Sequence, residues 1–177
     1  DLLRAVGAVE GMRRLRFTSP YPTDFTPRVI EAMAETPAVC EHVHLPVQSG
    51  SNAVLRRMLR RYTRARYLEV VAELRAAIPG ITISTDLIVG FPGETEADFG
   101  DTLSLVDEAG FDEAYTFLYS KREGTPAVRI ADQVPEAVGA ERLQRLIAQV
   151  RGRTRRANAG RVGTVHEVLV ERPARRG

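Results

Sequence analysis

Asp86 is the residue of this sequence best placed to do chemistry, because it is a carboxylate inside an apolar run. The run, Ile81–Val89, is otherwise dominated by β-branched and aliphatic residues, as in a strand covered on both faces. A buried carboxylate is costly unless something binds it. Gly90–Gly93 then turns the chain, and Glu94-Thr95 opens an acidic helix. Ligands of parallel α/β folds bind where strands end in this way, so we predict a ligand site, although an ordinary strand–turn–helix joint with a solvated Asp fits the same residues.

A second polar loop, Pro46–Ser51, follows the strand predicted at His42–Val47. Gln48 offers both a hydrogen-bond donor and an acceptor. Ser49-Gly50-Ser51 offers backbone N–H groups at a helix start, which suit an anionic group. A helix cap by Ser51 explains part of the same pattern.

Arg60 is the candidate partner for a ligand carboxylate, which its guanidinium can bind through two hydrogen bonds. It ends the helix predicted after Ser51 and lies twelve residues beyond Gln48. The alternative is a surface role, as one of four arginines in Arg56–Arg61.

The histidines and the cysteine give weaker signals. His42 and His44 are expected on opposite sides of their strand, packed or hydrogen-bonded rather than paired on a metal. Cys40 precedes that strand alone and is expected to be a partly buried, inert thiol. No zinc spacing, Ser-His-Asp order or phosphate loop is present, so we predict no metal site in this chain.

Composition limits the class of protein. The chain has 177 residues, 44% hydrophobic and 27% charged, which is enough for one sizeable core. It has neither the run of about 18 apolar residues that a membrane helix needs nor a signal peptide, so no membrane is expected. A single cysteine suits a reducing compartment and predicts a cytoplasmic protein.

Charge is unevenly distributed along the chain. The segment Val138–Gly177 holds ten Arg against three Glu, whereas the net charge of the whole chain is only +2. This basic end predicts an anionic partner, the alternative being a solvated basic helix with an unstructured end.

The pattern of elements is an alternation of strands and helices. Strands are predicted at Arg14–Thr18, His42–Val47, Ile81–Val89 and Ala114–Tyr119. Helices are predicted at Leu2–Glu10, Thr26–Glu35, Ser51–Arg60, Thr63–Ala77, Thr95–Ala109 and from Pro135 to about Asn158. This order favours an α/β fold with a parallel sheet, open or barrel-like. Val165–Val170 alternates apolar and polar residues, which predicts a further β element, and both ends are expected to be cut within a domain.

Several motifs resemble one family, the radical S-adenosylmethionine methylthiotransferases. They are HLPVQSGS at His44–Ser51, STDLIVGFPGET at Ser84–Thr95 and YS-x-x-x-GTPA at Tyr119–Ala127. RFTSPYPTDFT at Arg16–Thr26, YTRARY at Tyr62–Tyr67 and DQVPE at Asp132–Glu136 resemble its tRNA branch most. That branch includes enzymes that convert isopentenyladenosine beside the anticodon to its 2-methylthio form.

The resemblance implies a fold and a division of the chain. Residues 1–134 would form the second half of a partial (β/α)6 TIM-like radical-SAM barrel. Residues 135–160 would form a basic connecting helix, and residues 161–177 the first strand of a C-terminal β-barrel, the RNA-binding TRAM domain.

The resemblance also implies a set of site residues. Gln48 and Arg60 would hold the methionine moiety and ribose of S-adenosylmethionine, and Asp86 would accept hydrogen bonds from the ribose hydroxyls. Ile88 would pack on the adenine, while the backbone around Leu118 and Tyr119 would read its edge. Contacts with the RNA are expected from three residues of the basic helix, Arg153, Arg155 and Arg156.

The chemistry implied for the full-length protein uses a 4Fe-4S cluster that cleaves S-adenosylmethionine reductively. A radical then abstracts hydrogen from C2 of the adenine base, and a methylated sulfur is inserted. The family's CxxxCxxC motif is absent here, so this chain alone is expected to hold no cluster and to be inactive. Expected partners are the tRNA anticodon arm and a flavodoxin-like electron donor.

Other functions stay open at this stage. A sister methylthiotransferase modifies an aspartate of a ribosomal protein, and another acts on threonylcarbamoyladenosine in tRNA. A non-catalytic RNA-binding module would also fit a basic end without cluster cysteines.

Overall fold

A computed structural model describes residues 1–18, 20–170 and 172 of the chain as a three-stranded sheet with six α-helices. The strands are β1 (His42–His44), β2 (Thr82–Val89) and β3 (Glu113–Leu118). The helices are α1 (Leu2–Gly7), α2 (Pro27–Glu35), α3 (Asn52–Arg57), α4 (Arg64–Ala77), α5 (Glu96–Ala109) and α6 (Glu136–Ala159). Short 3-10 turns lie at Pro22–Asp24 and Pro126–Arg129.

The sheet is parallel throughout, in the order β1-β2-β3. Parallel neighbours need crossover connections, which α3 and α4 provide between β1 and β2, and α5 between β2 and β3. The register pairs His44 with Ser84 and Asp86 with Tyr115. The carboxyl ends of all three strands therefore meet at one edge of the sheet.

The helix boundaries follow from capping residues. The Thr63 side chain accepts a hydrogen bond from the backbone of α4, and Thr95 forms a reciprocal capping box with Asp98 at the start of α5. Gly110 ends α5 in the left-handed conformation, at φ 66°. The predicted α2, α4, α5 and α6 are confirmed to within a residue or two.

The core lies between the helices and one face of β2. Ile83, Leu87 and Val89 are fully buried there, together with Tyr67 and Phe99 from the helices. The opposite face of β2 is only partly covered, so the prediction of a strand buried on both faces is wrong. The Asp86 side chain is 27% exposed, and its carboxylate is therefore not the buried group that the apolar run suggested.

Two predicted strands are absent because they lack a partner within the described residues. Arg14–Thr18 forms only a single bridge, between Leu15 and Val39. Residues 164–170 form no strand, and Val165 is 99% exposed. The predicted TRAM opening is thus not seen as a strand, and Glu171 and residues 173–177 of it lie outside the described residues. The predicted strand at His42–Val47 is also shorter, ending at His44.

Helix α6 packs closely behind the carboxyl end of β2. A Cβ placed on Gly139 would lie 2.7 Å from Leu118 Cδ1 and 3.9 Å from Gly90 Cα, so a larger residue there would require the Leu118 side chain to move. Two turns further on, Leu146 is fully buried. The helix is therefore part of the core rather than a detached connector.

Candidate functional site

A cavity of about 570 Å³ opens at the carboxyl edge of the sheet, within the size range of small-molecule sites. Its wall is formed by the ends of β2 and β3 and by the loops that follow β1, α3 and β3. All six residues predicted to bind the cofactor line it: Gln48, Arg60, Asp86, Ile88, Leu118 and Tyr119. Residues far apart in sequence are thus brought to one place.

Gln48 is held on a rigid backbone. Its N–H donates to Asp86 O at 2.9 Å, and its carbonyl accepts from Ile88 N at 2.9 Å. Its φ of 73° is unusual for a residue with a side chain. The preceding residue is also anchored, since Tyr62 Oη donates to Val47 O at 3.1 Å and burial raises the pKa of Tyr62 to about 12.

The loop after Gln48 does not offer the free N–H groups that its sequence suggested. Gly50 N donates to Thr102 Oγ1 at 3.0 Å, and Ser51 N donates to Ser49 Oγ at 3.2 Å. Ser51 itself caps α3, as expected. The loop is packed on α5, so its N–H groups serve the fold rather than an anion.

Arg60 lies beyond the end of α3, which stops at Arg57 and not at Arg60 as predicted. Its Nε is buried and has no hydrogen-bond partner among the described residues. Tyr119 Oη is also buried without a partner there. Buried donors are almost always satisfied, and both residues line the cavity, so they are candidates to bind a polar ligand.

Asp86 projects from the half-covered face of β2. Its Oδ2 lies 3.3 Å from His44 Nε2, and His44 Nδ1 lies 3.0 Å from Ser84 Oγ. His42 makes the equivalent contact with Thr82 Oγ1, at 3.0 Å. His42 and His44 therefore share one face, and the expectation of opposite faces is wrong because side chains two residues apart in a strand point the same way.

The turn after β2 is closed by a buried ion pair. Glu94 Oε1 accepts from Gly90 N at 3.0 Å and from Arg142 Nη1 at 2.9 Å, and the two charged side chains are 0% and 6% exposed. Burial raises the pKa of Glu94, and the hydrogen bonds from Gly90 and Arg142 oppose this rise. Gly90 and Gly93 have φ of 73° and 76°, a conformation that glycine adopts without strain.

Sequence reasoning missed several residues of the cavity wall. Arg57 donates from Nη1 to Gly93 O at 2.9 Å, and Arg122 and Phe117 also line the cavity. Phe117 could have been found, because it shares the period-2 face of β3 with Tyr115, and both rings are about half exposed. Arg57 could not be told from its neighbours in the arginine run.

The basic surface of α6 is smaller than its sequence suggested. Arg142 is buried, and Arg153 donates from Nε to Phe111 O at 3.2 Å. Arg155 and Arg156 are exposed and make no ion pair within the part of the chain that the structure describes. Of the three predicted RNA contacts, Arg155 and Arg156 are thus the two whose guanidinium groups have no ion-pair partner among residues 1–18, 20–170 and 172.

Metal-binding groups are sparse. The sequence has one cysteine, Cys40, which is free and half-buried. Among the described residues, no three His, Cys, Asp or Glu side chains cluster in a way that could hold a metal ion. These residues do not fit a 4Fe-4S cluster.

The chain is a radical SAM protein, as its match to a family model shows. The model of the Radical SAM superfamily matches residues 2–106, more than half of the chain, and the chain belongs to this superfamily. Coproporphyrinogen III oxidase (HemN) from Escherichia coli, described as a radical SAM enzyme, has a similar structure. Its TM-score is 0.65 at 22% identity, over 76% of this chain and 31% of that chain. The predicted partial radical-SAM barrel is thereby confirmed as the fold.

Curated relatives with higher sequence identity identify a narrower family within the radical SAM superfamily. The tRNA-2-methylthio-N(6)-dimethylallyladenosine synthase of Deinococcus radiodurans is 55% identical over 96% of this chain and 34% of that protein. The enzyme of the same name from Acidothermus cellulolyticus is 56% identical over 96% and 34%. That from Thermus thermophilus is 53% identical over 99% and 37%. The predicted resemblance to methylthiotransferases is confirmed, and the chain spans about a third of the length of these relatives.

Within residues 1–18, 20–170 and 172, none of the helices combines the length and the hydropathy that a membrane-spanning segment needs.

Proposed function

We propose that this chain forms the S-adenosylmethionine-binding part of an enzyme that adds a methylthio group to C2 of isopentenyladenosine next to the anticodon of tRNA. The observation that carries the proposal is the convergence of six residues, spread from Gln48 to Tyr119, on one cavity. The names of relatives more than 50% identical over nearly the whole chain support the substrate. The complete enzyme would act in the cytoplasm, where a flavodoxin-like protein would supply electrons.

The cavity residues fit S-adenosylmethionine chemically. Arg60 lines the cavity and would bind the carboxylate of the methionine moiety through its guanidinium, and Gln48, which also lines the cavity, would offer an amide. Asp86 accepts from ribose hydroxyls, Ile88 supplies an apolar surface for the adenine, and the backbone at Leu118 and Tyr119 reads its edge. Bound S-adenosylmethionine supplies radical chemistry and a methyl group, while this chain binds it, orients it and excludes water. Because the described residues do not fit an iron–sulfur cluster, its ligands in the complete enzyme would come from other residues.

Deleting the gene for the complete enzyme tests the substrate. Digested tRNA should lose its 2-methylthio-isopentenyladenosine and accumulate isopentenyladenosine, as measured by mass spectrometry of nucleosides. Unchanged tRNA with loss of a methylthio group from a ribosomal-protein aspartate would move the proposal to the sister enzyme. Loss from threonylcarbamoyladenosine alone would move it to the other tRNA branch.

Asp86→Ala in the complete enzyme should weaken S-adenosylmethionine binding by about 1–3 kcal/mol, the cost of losing hydrogen bonds to a charged acceptor. Stability should change little, because the carboxylate is partly exposed and is not a core contact. Titration calorimetry measures the affinity, and Asp101→Ala, an exposed carboxylate on α5, is the control. Unchanged affinity in Asp86→Ala would remove Asp86 from the proposed site.

Replacing Arg155 and Arg156 by glutamine should weaken tRNA binding and flatten its dependence on salt. Each arginine that meets a phosphate adds about −0.9 to the slope of log K against log salt for a duplex, or about −0.7 for a single strand. The pair should therefore change the slope by roughly 1.5 units, whereas Arg153, which already binds a backbone carbonyl, should contribute less. As a control, a double variant at Arg28 and Arg66 removes the same charge from α2 and α4. Equal salt slopes in this control and in the variant of Arg155 and Arg156 would contradict the assignment of RNA contacts to α6.

A further inference from the structure

His44 lies outside the cavity wall, and the role inferred for it rests on the proposed function. His44 contacts Asp86 but is not among the residues that line the cavity. Its imidazole is 17% exposed and lies on the same face of the sheet as Asp86, one strand away. Of its side-chain contacts with Asp86, Ser84 and Tyr115, only the contact with Asp86 reaches a residue of the cavity wall.

The hydrogen-bond partners of His44 determine which of its ring nitrogens donates and which accepts. An ionised carboxylate only accepts, so the contact of 3.3 Å with Asp86 Oδ2 requires a proton on His44 Nε2. In the neutral ring Nδ1 is then the acceptor, and it receives the hydroxyl proton of Ser84 at 3.0 Å. Ser84 is 3% exposed, so water competes little for this bond. The chain of donation runs from Ser84 through His44 to Asp86.

The ring of His44 is also held in place sterically. Tyr115, the register partner of Asp86 on β3, contacts it edge to face with ring centroids 5.7 Å apart. The ring is thus fixed by two hydrogen bonds and one aromatic contact. A fixed donor on Oδ2 restricts rotation of the Asp86 carboxylate and leaves Oδ1 free to accept from a ligand.

We propose that His44 is a positioning residue for S-adenosylmethionine, which orients the Asp86 carboxylate toward the ribose hydroxyls. The competing role is strand packing alone. A substitution of His42 distinguishes the two roles. His42 makes an equivalent hydrogen bond to Thr82, also at 3.0 Å, but no contact with Asp86 is seen for it. His42 is therefore an internal control with the same residue type, strand and kind of partner.

The test is calorimetric titration of S-adenosylmethionine into variants of the complete enzyme. His44→Leu should weaken binding about 3- to 10-fold, the loss expected for one net hydrogen bond, and His42→Leu should not. His44→Gln keeps an N–H donor and should restore most of the affinity. In an Asp86→Ala background, His44→Leu should have no further effect, because the two residues would act as one unit.

The outcomes separate this inference from the proposed function. Parental affinity in His44→Leu would overturn it. Equal losses in His44→Leu and His42→Leu, or a full additional loss in the Asp86→Ala background, would show a packing role and would also overturn it. A parent enzyme that fails to bind S-adenosylmethionine would instead refute the proposed function itself.

Discussion

Arg142→Met is expected to destabilise this chain by about 3–5 kcal/mol, the range for breaking a buried ion pair by removing one partner. The variant leaves Glu94, whose side chain is fully buried, without its cation. It also removes the hydrogen bond to Glu94 O at 3.0 Å and the contact of the guanidinium with the Phe99 ring, 5.8 Å from its centroid. Urea unfolding followed by circular dichroism measures the change.

Arg145→Met is the matched control, because Arg145 lies on the same helix and pairs with Glu96 at the surface. It should cost much less than Arg142→Met, because exposed ion pairs contribute little to stability. Adding Glu94→Gln to Arg142→Met should restore part of the loss, since no buried charge then remains. If Arg142→Met and Arg145→Met cost the same, the buried pair would not stabilise the turn.

The loss of stability caused by Arg142→Met should become larger as the pH rises. Burial already raises the pKa of Glu94 above 4.5, and removing Arg142 takes away a contact that opposes the rise. A carboxyl whose pKa is higher in the folded state stabilises the fold below its unfolded pKa, and that contribution is lost as the pH rises through the folded value. The gap between parent and variant should therefore be smaller at about pH 5 than at about pH 8. A constant gap would contradict the assignment of the effect to Glu94.

Gly50→Ala should also destabilise the chain, by about 1–3 kcal/mol or more, as overpacking does. A Cβ at this position would lie 2.3 Å from Asp101 O and 2.6 Å from Thr102 Cα, both backbone atoms of α5. The loop would have to leave the helix and lose the hydrogen bond from Gly50 N to Thr102 Oγ1. Because Gln48 lies two residues away, S-adenosylmethionine affinity of the complete enzyme should fall as well.

Gly100→Ala is the control, and its effect on stability is expected to be opposite to that of Gly50→Ala. Gly100 is exposed within the same helix, and a Cβ there would meet nothing within 4 Å. Alanine in a helix interior is better than glycine by roughly 0.5–1 kcal/mol, so this variant should be more stable than the parent. Stabilisation by both substitutions would mean that the loop does not pack on α5 as described.

Local sequence signals predicted α2, α4, α5 and α6 well, because their ends are decided by a few neighbouring residues. Helices α1 and α3 end at Gly7 and Arg57, each three residues earlier than predicted. Thr63 and Thr95 form caps in which donor and acceptor lie within four residues, and Gly110 ends α5 through its own left-handed conformation. Strands were harder, since a strand exists only with its partner. Arg14–Thr18 and Val165–Val170 have suitable residues but no ladder among the described residues.

Site residues that lie in or near sequence motifs were predicted correctly as cavity residues. Pairs of residues that are far apart in sequence were not predicted. Gln48, Arg60 and Asp86 stand in or near recognisable motifs, and all three reach the cavity. The partner of Glu94 is Arg142, 48 residues away and hidden among the other arginines of the basic end. Nothing in sequence distinguishes that arginine from its exposed neighbours, because burial is decided by the packing of α6.

The backbone of Gln48 has a consequence for efforts to improve this fold. A side-chain-bearing residue in the left-handed region costs roughly 1–2 kcal/mol, and glycine would relieve that cost. A screen that selected only for thermal resistance would therefore favour glycine at this position. Such a variant would be more stable but would lack the Gln48 amide in the cavity. A thermostable variant of this protein should therefore be tested for ligand binding before it is called improved.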